Sequence, residues 1–248
     1  MSGSDRAGTQ ALAENHLAFM AAQRGTLRRT GDFVALDGTA DFLSWWSPLA
    51  PADEVSVPEG TACVRLFPWS DASWQDRLRG LGFTAVEQLS YMAAPVASGG
   101  ADELPDGVGV TVVASDEDAV AFADTQAAGF LEPGEAGGDW WRAFFREVAL
   151  RNHGEPDQRF YLLRCEGEPA AVSLTVTTGG VCGIYAVATR PPFRHRGFAG
   201  LLLGRIRRDA HGRGDSALGL QVEVGSAAER LYLKAGFTSR FVSTIHER

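Results

Sequence analysis

The chain has 248 residues, which is long for one small domain and short for two full ones, so we expect one large core or two unequal lobes. A composition of 45% hydrophobic and 22% charged residues excludes overall disorder and a fibrous repeat. The formal net charge of -8 argues against a nucleic-acid partner, because such proteins need a basic face to neutralise phosphates.

The first part of the chain predicts a small α/β lobe. Apolar residues at helical spacing predict a helix over 9–24, which Gly25 ends. A tryptophan-rich stretch follows, with a strand over 61–67, a helix starting near residue 71 and a strand ending near residue 94. Residues 96–107 are polar and rich in glycine and proline, as in a linker. We therefore expect an N-terminal lobe over 1–100 and a larger domain over 101–248.

The sequence of the larger domain predicts alternating strands and helices. Ser115 and Asp118 have the spacing of a capping box at the start of its first helix. The predicted order is β-α-α-β-β-β-α-β-α-β, with elements over 108–113, 115–128, 139–150, 159–164, 170–177, 181–188, 197–211, 217–224, 227–235 and 237–245. This order indicates an α/β (α+β) fold.

Several patterns bear on location and metals. The three cysteines lie far apart without a CxxC pair, and the five histidines lack paired-ligand spacing, so we predict no disulfide framework and no metal. Residues 170–189 carry no charge, but Gly179 and Gly180 divide them into two β-rich runs, which favours a buried hairpin over a membrane span. No export signal is visible at the N-terminus, so we expect a cytoplasmic protein without a membrane partner.

The most informative segment follows the predicted strand 181–188. Two prolines stop the strand, and Gly197 opens a helix whose first turn has small residues. Free amides and the positive end of the helix dipole attract phosphate, so we interpret this turn as an anion cradle. Residues 190–213 add seven arginines against one acid, Asp209, although Arg205, Arg207 and Arg208 fit a solvated helix face equally well. Neither a P-loop nor a GxGxxG fingerprint is present.

The segment 194–199, Arg-His-Arg-Gly-Phe-Ala, resembles the [Q/R]xxGx[G/A] acyl-CoA motif of the GNAT N-acetyltransferases. A second segment, 228–237, resembles the AxxLYxxxGF segment of the same family and follows the expected strand. The resemblance covers residues 108–248. It implies the GNAT fold, in which the central strands of a mixed sheet splay apart to admit acetyl-CoA as co-substrate.

The resemblance also implies roles for individual residues. The strand-end backbone of Val187, Ala188 and Thr189 would hold the pantetheine and thioester. Tyr232 would face the sulfur, where a phenol can donate a hydrogen bond or proton to the departing thiolate; the alternative is an aromatic that packs the helix. Gly225 stands where the family often has Asn. The pyrophosphate would be held by Arg194, His195, Arg196, Gly197, Phe198, Ala199 and Gly200.

An ammonium acceptor must lose a proton before it attacks, so a carboxylate is expected near the thioester. Glu223, near the end of its strand, is one candidate for this catalytic role. Glu132 and Glu135, in the predicted loop 129–138, are candidates for binding the acceptor. Solvated surface acids are the alternative explanation for all three.

Residues 78–83 and 231–237 each end a helix with Gly-Phe and enter a strand. Either the N-terminal lobe is a degenerate second GNAT lobe, or this is ordinary helix-to-strand punctuation. We expect an N-acetyltransferase that moves an acetyl group from acetyl-CoA to a primary amine of a small molecule or protein. The alternative is a non-catalytic acyl-CoA sensor or interaction module.

Overall fold

A computed structural model describes residues 3–96, 104–132 and 134–248. The chain divides into two compact units, Met1–Ala94 with Leu220–Arg248 and, separately, Pro95–Gly219. The predicted linker over 96–107 includes residues 97–103, which lie outside the described residues. The domain boundary near residue 100 stays a prediction.

The helices and strands alternate along the chain much as the sequence predicted. In chain order they are α1 (Gly3–Arg24), β1 (Gly25–Arg29), β2 (Phe33–Gly38), β3 (Trp45–Pro48), β4 (Cys63–Leu66), α2 (Ser73–Gly80), β5 (Thr84–Pro95), β6 (Val108–Val112), α3 (Asp116–Phe130), α4 (Gly138–Asn152), β7 (Gln158–Cys165), β8 (Glu168–Thr178), β9 (Val181–Thr189), α5 (Phe198–Arg213), β10 (Ala217–Glu223), α6 (Ala227–Lys234) and β11 (Thr238–Glu247). The mixed α/β class predicted from the sequence is confirmed.

The unit Pro95–Gly219 has its strands in the order β6-β7-β8-β9, all antiparallel, with the first residues of β10 parallel to β9. The predicted hairpin joins β8 to β9. Its turn residues Gly179 and Gly180 have φ of 57° and 78°, which glycine adopts without steric cost. Ser115 caps α3 as predicted, because its hydroxyl accepts the amide of Asp118 at 3.2 Å.

Helices cover both faces of this sheet. Phe122 of α3 packs edge-to-face on Phe160 at 4.9 Å between ring centroids. The next residue along β7, Tyr161, donates its hydroxyl to Asp209 of α5 at 3.0 Å. Because neighbouring residues of a strand point to opposite faces, α3 and α5 lie on opposite sides of the sheet. The strands between them are therefore buried on both faces.

The other unit has the strand order β1-β2-β3-β4-β11-β5, with the end of β10 beside β5. The C-terminal strand β11 is antiparallel to both neighbours, so Ile245 faces Arg65 on one side and Glu87 on the other. Strands β1, β2 and β3 were not predicted. In β3 every residue is buried, so the alternation that marks a half-buried strand is missing from its sequence.

The hydrophobic core of this unit forms where α2 packs on β3 and β4. Trp74 and Leu78 of α2 are fully buried, and the Trp74 ring meets Trp46 edge-to-face at 5.3 Å. Phe83, just beyond α2, is buried in the same cluster. Aromatic rings of this size make this packing a large part of the lobe's hydrophobic stabilisation.

Two helix-to-strand turns of this unit have the same geometry. The amide of Phe83 donates to the carbonyl of Leu78 at 3.0 Å, and the amide of Phe237 donates to that of Tyr232 at 3.0 Å. The glycine before each phenylalanine has a positive φ, 84° in the first turn and 87° in the second. Leu78 and Tyr232 therefore occupy equivalent positions.

Candidate functional site

The end of β9 carries an irregularity that redirects its last residues. The pairing of β8 with β9 shifts so that Ala186 and Val187 together face Ser173, which is a β-bulge. Ala186 has a φ of 51°, a conformation uncommon for a residue other than glycine. Val187, Ala188 and Thr189 follow this bulge at the strand end. Nothing in the local sequence marks the bulge, since alanine gives no signal for it.

The end of α3 lies against this strand end. Helix α3 runs to Phe130, two residues further than predicted, so Gly129 is helical and does not begin the loop. A Cβ atom on Gly129 would lie 2.8 Å from the Cβ of Ala188 and 3.1 Å from the amide nitrogen of Thr189. Only glycine allows this approach. The sequence analysis missed this role of Gly129.

Arg194 joins the same two segments. Its Nε donates to the carbonyl of Thr189 at 3.3 Å, and its Nη2 donates to the carbonyl of Gly129 at 3.0 Å. The motif arginine therefore holds the strand end and the helix end together. The same charge remains exposed beside the turn that opens α5.

The first turn of α5 is open at its N-terminus. Gly197 precedes the helix with a φ of 78°, and no side chain caps it. The backbone amides of the first turn have no hydrogen-bond acceptor within the helix, and they lie at the positive end of the helix dipole. The buried rings of Phe193 and Phe198, 6.3 Å apart, fix the loop between them. Residues 194–197 of this loop are exposed. The arrangement suits an anion.

The arginine run contributes less charge to this turn than the sequence suggested. Arg205 donates to the carboxylate of Asp209 at 3.0 Å and to the carbonyl of Val110 at 2.9 Å. Arg213 donates to the carboxylate of Asp215 at 2.7 Å. The interpretation of the run as one phosphate-binding set is wrong for these two residues, because their charges are already paired within the protein.

Tyr232 lies on α6 in the other compact unit. Its side chain is 7% exposed, and its ring meets Phe237 edge-to-face at 5.6 Å. Burial raises the pKa of this phenol to about 12. The hydroxyl is therefore protonated throughout the neutral range and can only donate or accept a hydrogen bond there.

The turn before α6 explains Gly225. Its φ is 78°, a region that glycine and, less readily, asparagine adopt. The carboxylate of Glu229 accepts the amide of Gly225 at 2.7 Å, and the hydroxyl of Ser226 accepts the amide of Glu229 at 3.1 Å. Ser226 and Glu229 act as a capping pair that the sequence analysis did not identify, although the S-x-x-E spacing signals it.

The candidate acids lie in different parts of the chain. Glu132 and Glu135 are exposed in the loop after α3, and the carboxylate of Glu135 accepts the amide of Glu132 at 2.9 Å. Glu223 is exposed at the end of β10, in the other compact unit. Their roles stay predictions. Across the part of the chain that the structure describes, no group of three or more His, Cys, Asp or Glu side chains is placed to hold a metal ion.

None of the described helices is both long and apolar enough to cross a membrane. The three cysteines, Cys63, Cys165 and Cys182, are free thiols.

A comparison with curated proteins gives no match. The model of a protein family, the acetyltransferase (GNAT) domain, matches residues 100–223. The fold is similar to that of a GCN5-related N-acetyltransferase from Kribbella flavida, with a TM-score of 0.67, 19% identity, and coverage of 95% of this chain and 93% of that one. The fold is also similar to that of a GCN5-related N-acetyltransferase from Sphaerobacter thermophilus, with a TM-score of 0.66, 18% identity, and coverage of 88% of this chain and 76% of that one. For a tandem GNAT protein from the clavulanic acid biosynthesis pathway the TM-score is 0.57 and the identity 11%, and the match covers 89% of this chain and 80% of that one.

Proposed function

The chain belongs to the GNAT acetyltransferase family, and from that premise we propose that it transfers an acetyl group from acetyl-CoA to a primary amine of a small molecule or protein. The observation that carries the proposal is the exposed, uncapped first turn of α5, opened by Gly197 directly after the end of β9. Its amides and dipole suit the pyrophosphate of coenzyme A.

The proposed binding mode uses backbone more than side chains. The amides of Gly197, Phe198, Ala199 and Gly200 would bind phosphate oxygens. His195 and Arg196 are exposed beside them and add charge or hydrogen bonds. The residues after the bulge, Val187, Ala188 and Thr189, would hydrogen-bond the pantetheine amides and the thioester carbonyl as a neighbouring strand does. The close approach of Gly129 to the strand end supports a site that depends on backbone position.

The amine is proposed to attack the thioester directly, without an acyl-enzyme. Burial raises the pKa of Cys63 and of Cys182 to about 11 in each case, so neither thiol supplies a thiolate at neutral pH. A strand-end amide would stabilise the oxyanion of the tetrahedral intermediate. The C–S bond then breaks and the sulfur leaves with the bonding electrons.

Tyr232 is proposed to stabilise the departing sulfur. Its pKa of about 12 lies above that of an ordinary thiol, about 8.5, so a complete proton transfer from the phenol is unfavourable. The hydroxyl therefore acts chiefly as a hydrogen-bond donor to the developing thiolate. Glu223 is the proposed acceptor of the ammonium proton.

Glu132 and Glu135 are proposed to contact the acceptor. Both are exposed in the loop after α3, whose last turn contacts the strand end. A cytoplasmic location is also part of the proposal, and the free thiols support it, since reducing compartments preserve thiols.

The test combines coenzyme A binding with turnover. Calorimetric titration with coenzyme A should give one site, and incubation with acetyl-CoA and a panel of primary amines should release free thiol. Binding without thiol release on any amine would favour the non-catalytic sensor. Failure to bind coenzyme A at all would overturn both functions.

A further inference from the structure

The unit that contains the N-terminal strands holds two arginines that are largely or partly buried. Arg65 lies on the central strand β4 and is 7% exposed. Arg24, the last residue of α1, is partly exposed. Burial, with a further contribution from the positive charge of Arg65, lowers the pKa of Arg24 to about 10.

No carboxylate lies within ion-pair distance of either charge among the described residues. Their ion pairs, defined by a nitrogen-to-oxygen distance of 4.0 Å or less, include neither Arg24 nor Arg65. Glu87 is the acid in the same cross-strand row, with Ile245 of β11 between it and Arg65; burial raises the pKa of Glu87, and the more distant charge of Arg65 partly offsets this rise. In contrast, the partly buried Arg164 and Arg213 each have a carboxylate within 2.7 Å.

A buried cation without an ion pair is costly, so its hydrogen bonds are informative. Among the described residues, the Arg65 guanidinium makes one hydrogen bond to a side chain, from Nη1 to the hydroxyl of Tyr91 at 3.2 Å. Its buried Nε has no hydrogen-bond partner in that part of the chain. The edge formed by Nε and Nη2, which binds carboxylates in the side-on bidentate mode, therefore stays available.

The surroundings fix the orientation of this edge. The hydroxyl of Tyr91 accepts from Arg65 and also hydrogen-bonds Nδ1 of His16 at 2.7 Å. Burial, with repulsion from both arginines, lowers the pKa of His16 well below its usual value. His16 is consequently neutral and adds no charge of its own. A neutral, hydrogen-bonded pair therefore contacts Arg65 through Nη1.

Aromatic groups surround the two cations. The guanidinium of Arg65 lies 5.4 Å from the ring centre of Trp45, and that of Arg24 lies 5.7 Å from the ring centre of Phe19. The buried indole N–H of Trp45 also has no hydrogen-bond partner among the described residues. The site thus combines two cations and an indole donor with apolar walls.

We propose that this cluster, formed by Arg24, Arg65 and Trp45, binds the carboxylate of a small organic acid with an apolar body. The carboxylate would accept from the Nε–Nη2 edge of Arg65, and Arg24 would neutralise it from the partly exposed side. The apolar part of the ligand would contact the aromatic rings. The proposal does not depend on the acetyltransferase reaction.

The experiment uses sodium benzoate as the probe and benzamide, its neutral analogue of the same shape, as the matched ligand. Calorimetry and thermal unfolding of the full chain should show benzoate binding at one site with a rise in Tm, and no effect of benzamide. Sodium chloride at equal ionic strength removes general salt effects. Equal shifts from benzoate and benzamide would overturn the proposal, and a larger shift from sodium phosphate would overturn the carboxylate assignment.

Variants locate the site. Arg65→Met and Arg24→Met should each abolish the benzoate shift, whereas Arg28→Met, which removes an exposed arginine paired with Asp37, should retain it. Without ligand, Arg65→Met should unfold at the same or a higher Tm, because it removes a buried charge that has no ion pair among the described residues. Retention of the benzoate shift in either variant would refute the site. Arg24→Met, at the partly exposed helix end, decides the question if Arg65→Met does not fold. Coenzyme A titration of the same variants separates this site from the α5 turn.

Discussion

Gly129 contacts Ala188 so closely that a methyl group on its Cα would lie 2.8 Å from the Cβ of Ala188. The end of α3 is thereby fixed against the strand end that is proposed to bind the thioester. Gly129→Ala should displace one of the two segments, at a cost of ~1–3 kcal/mol in the free energy of unfolding. The Kd for coenzyme A should rise about tenfold or more, equivalent to ~1.4 kcal/mol. Calorimetry and urea unfolding measure the two effects.

Gly212→Ala is the control for that change. Gly212 is also helical, and a Cβ there would meet no atom within 4 Å. The substitution should stabilise the protein by up to ~1 kcal/mol through helix propensity, with the Kd unchanged. Equal Kd values for both variants would show that the close approach has no role in binding.

Gly197 and Gly214 flank α5 at its two ends with the same φ of 78°, and a Cβ on either would meet open space. Alanine at either position should therefore lower the free energy of unfolding by a similar amount, ~1–2 kcal/mol, because both force a non-glycine residue into the left-handed region. Only Gly197→Ala should weaken coenzyme A binding, since only that end is proposed to bind the phosphate. A matching loss of affinity in Gly214→Ala would place the phosphate site elsewhere.

Tyr232→Phe should separate the catalytic role from the packing role. The ring stays on Phe237, so the Tm and the Kd for coenzyme A should hardly change. The loss of one hydrogen-bond donor to the leaving group should lower kcat by about 10²-fold. Thiol release under saturating acetyl-CoA measures this.

Tyr161→Phe is the comparison variant. Its hydroxyl donates to Asp209, so its removal should cost about 1 kcal/mol of stability and leave kcat unchanged. If Tyr232→Phe retains full turnover, the hydroxyl has no part in the chemistry and the ring only packs the helix.

His16 should make stability depend on pH. Its folded-state pKa lies well below the usual 6.5, so between these two values the unfolded state binds more protons. The free energy of unfolding should fall as the pH falls below about 6.5, by at most ~1.4 kcal/mol per pH unit from this residue. Urea unfolding at pH 5, 6 and 7 measures the slope.

His16→Gln removes the titrating ring, so the slope between pH 7 and 5 should become shallower. His211→Gln changes an exposed histidine at the end of α5 and should leave the slope as it is. Identical slopes in His16→Gln and the unmodified protein would mean that this ring does not couple protonation to folding.

The sequence identified the residues that act locally. The two prolines and Gly197 determine where β9 ends and α5 begins, because proline cannot continue a strand ladder and glycine adopts the positive φ before the helix. The Gly-Phe pair predicted the turn after α6 and its counterpart after α2. Their matching backbone bonds, with Leu78 at the position of Tyr232, give the hypothesis of a degenerate N-terminal lobe a geometric basis.

Contacts between distant parts of the chain could not be predicted in this way. The closeness of Gly129 to Ala188, the pairing of Arg164 with Asp118, and the position of β11 between β4 and β5 all depend on how elements are brought together. Residue type alone made Arg65 and Arg205 look alike. Arg205 pairs with Asp209 one turn along its own helix, whereas among the described residues no carboxylate lies within ion-pair distance of Arg65.

The sequence by itself therefore determined the family, the mixed α/β class and the position of the uncapped turn that opens α5, since each depends on residues within a few positions of one another. The tertiary structure alone decided which buried charges lack an ion pair, which glycines allow close contact and which strands are neighbours. Side-chain environment is set by residues far away in the chain, and a buried charge or an added methyl group has a cost only when those neighbours are in place.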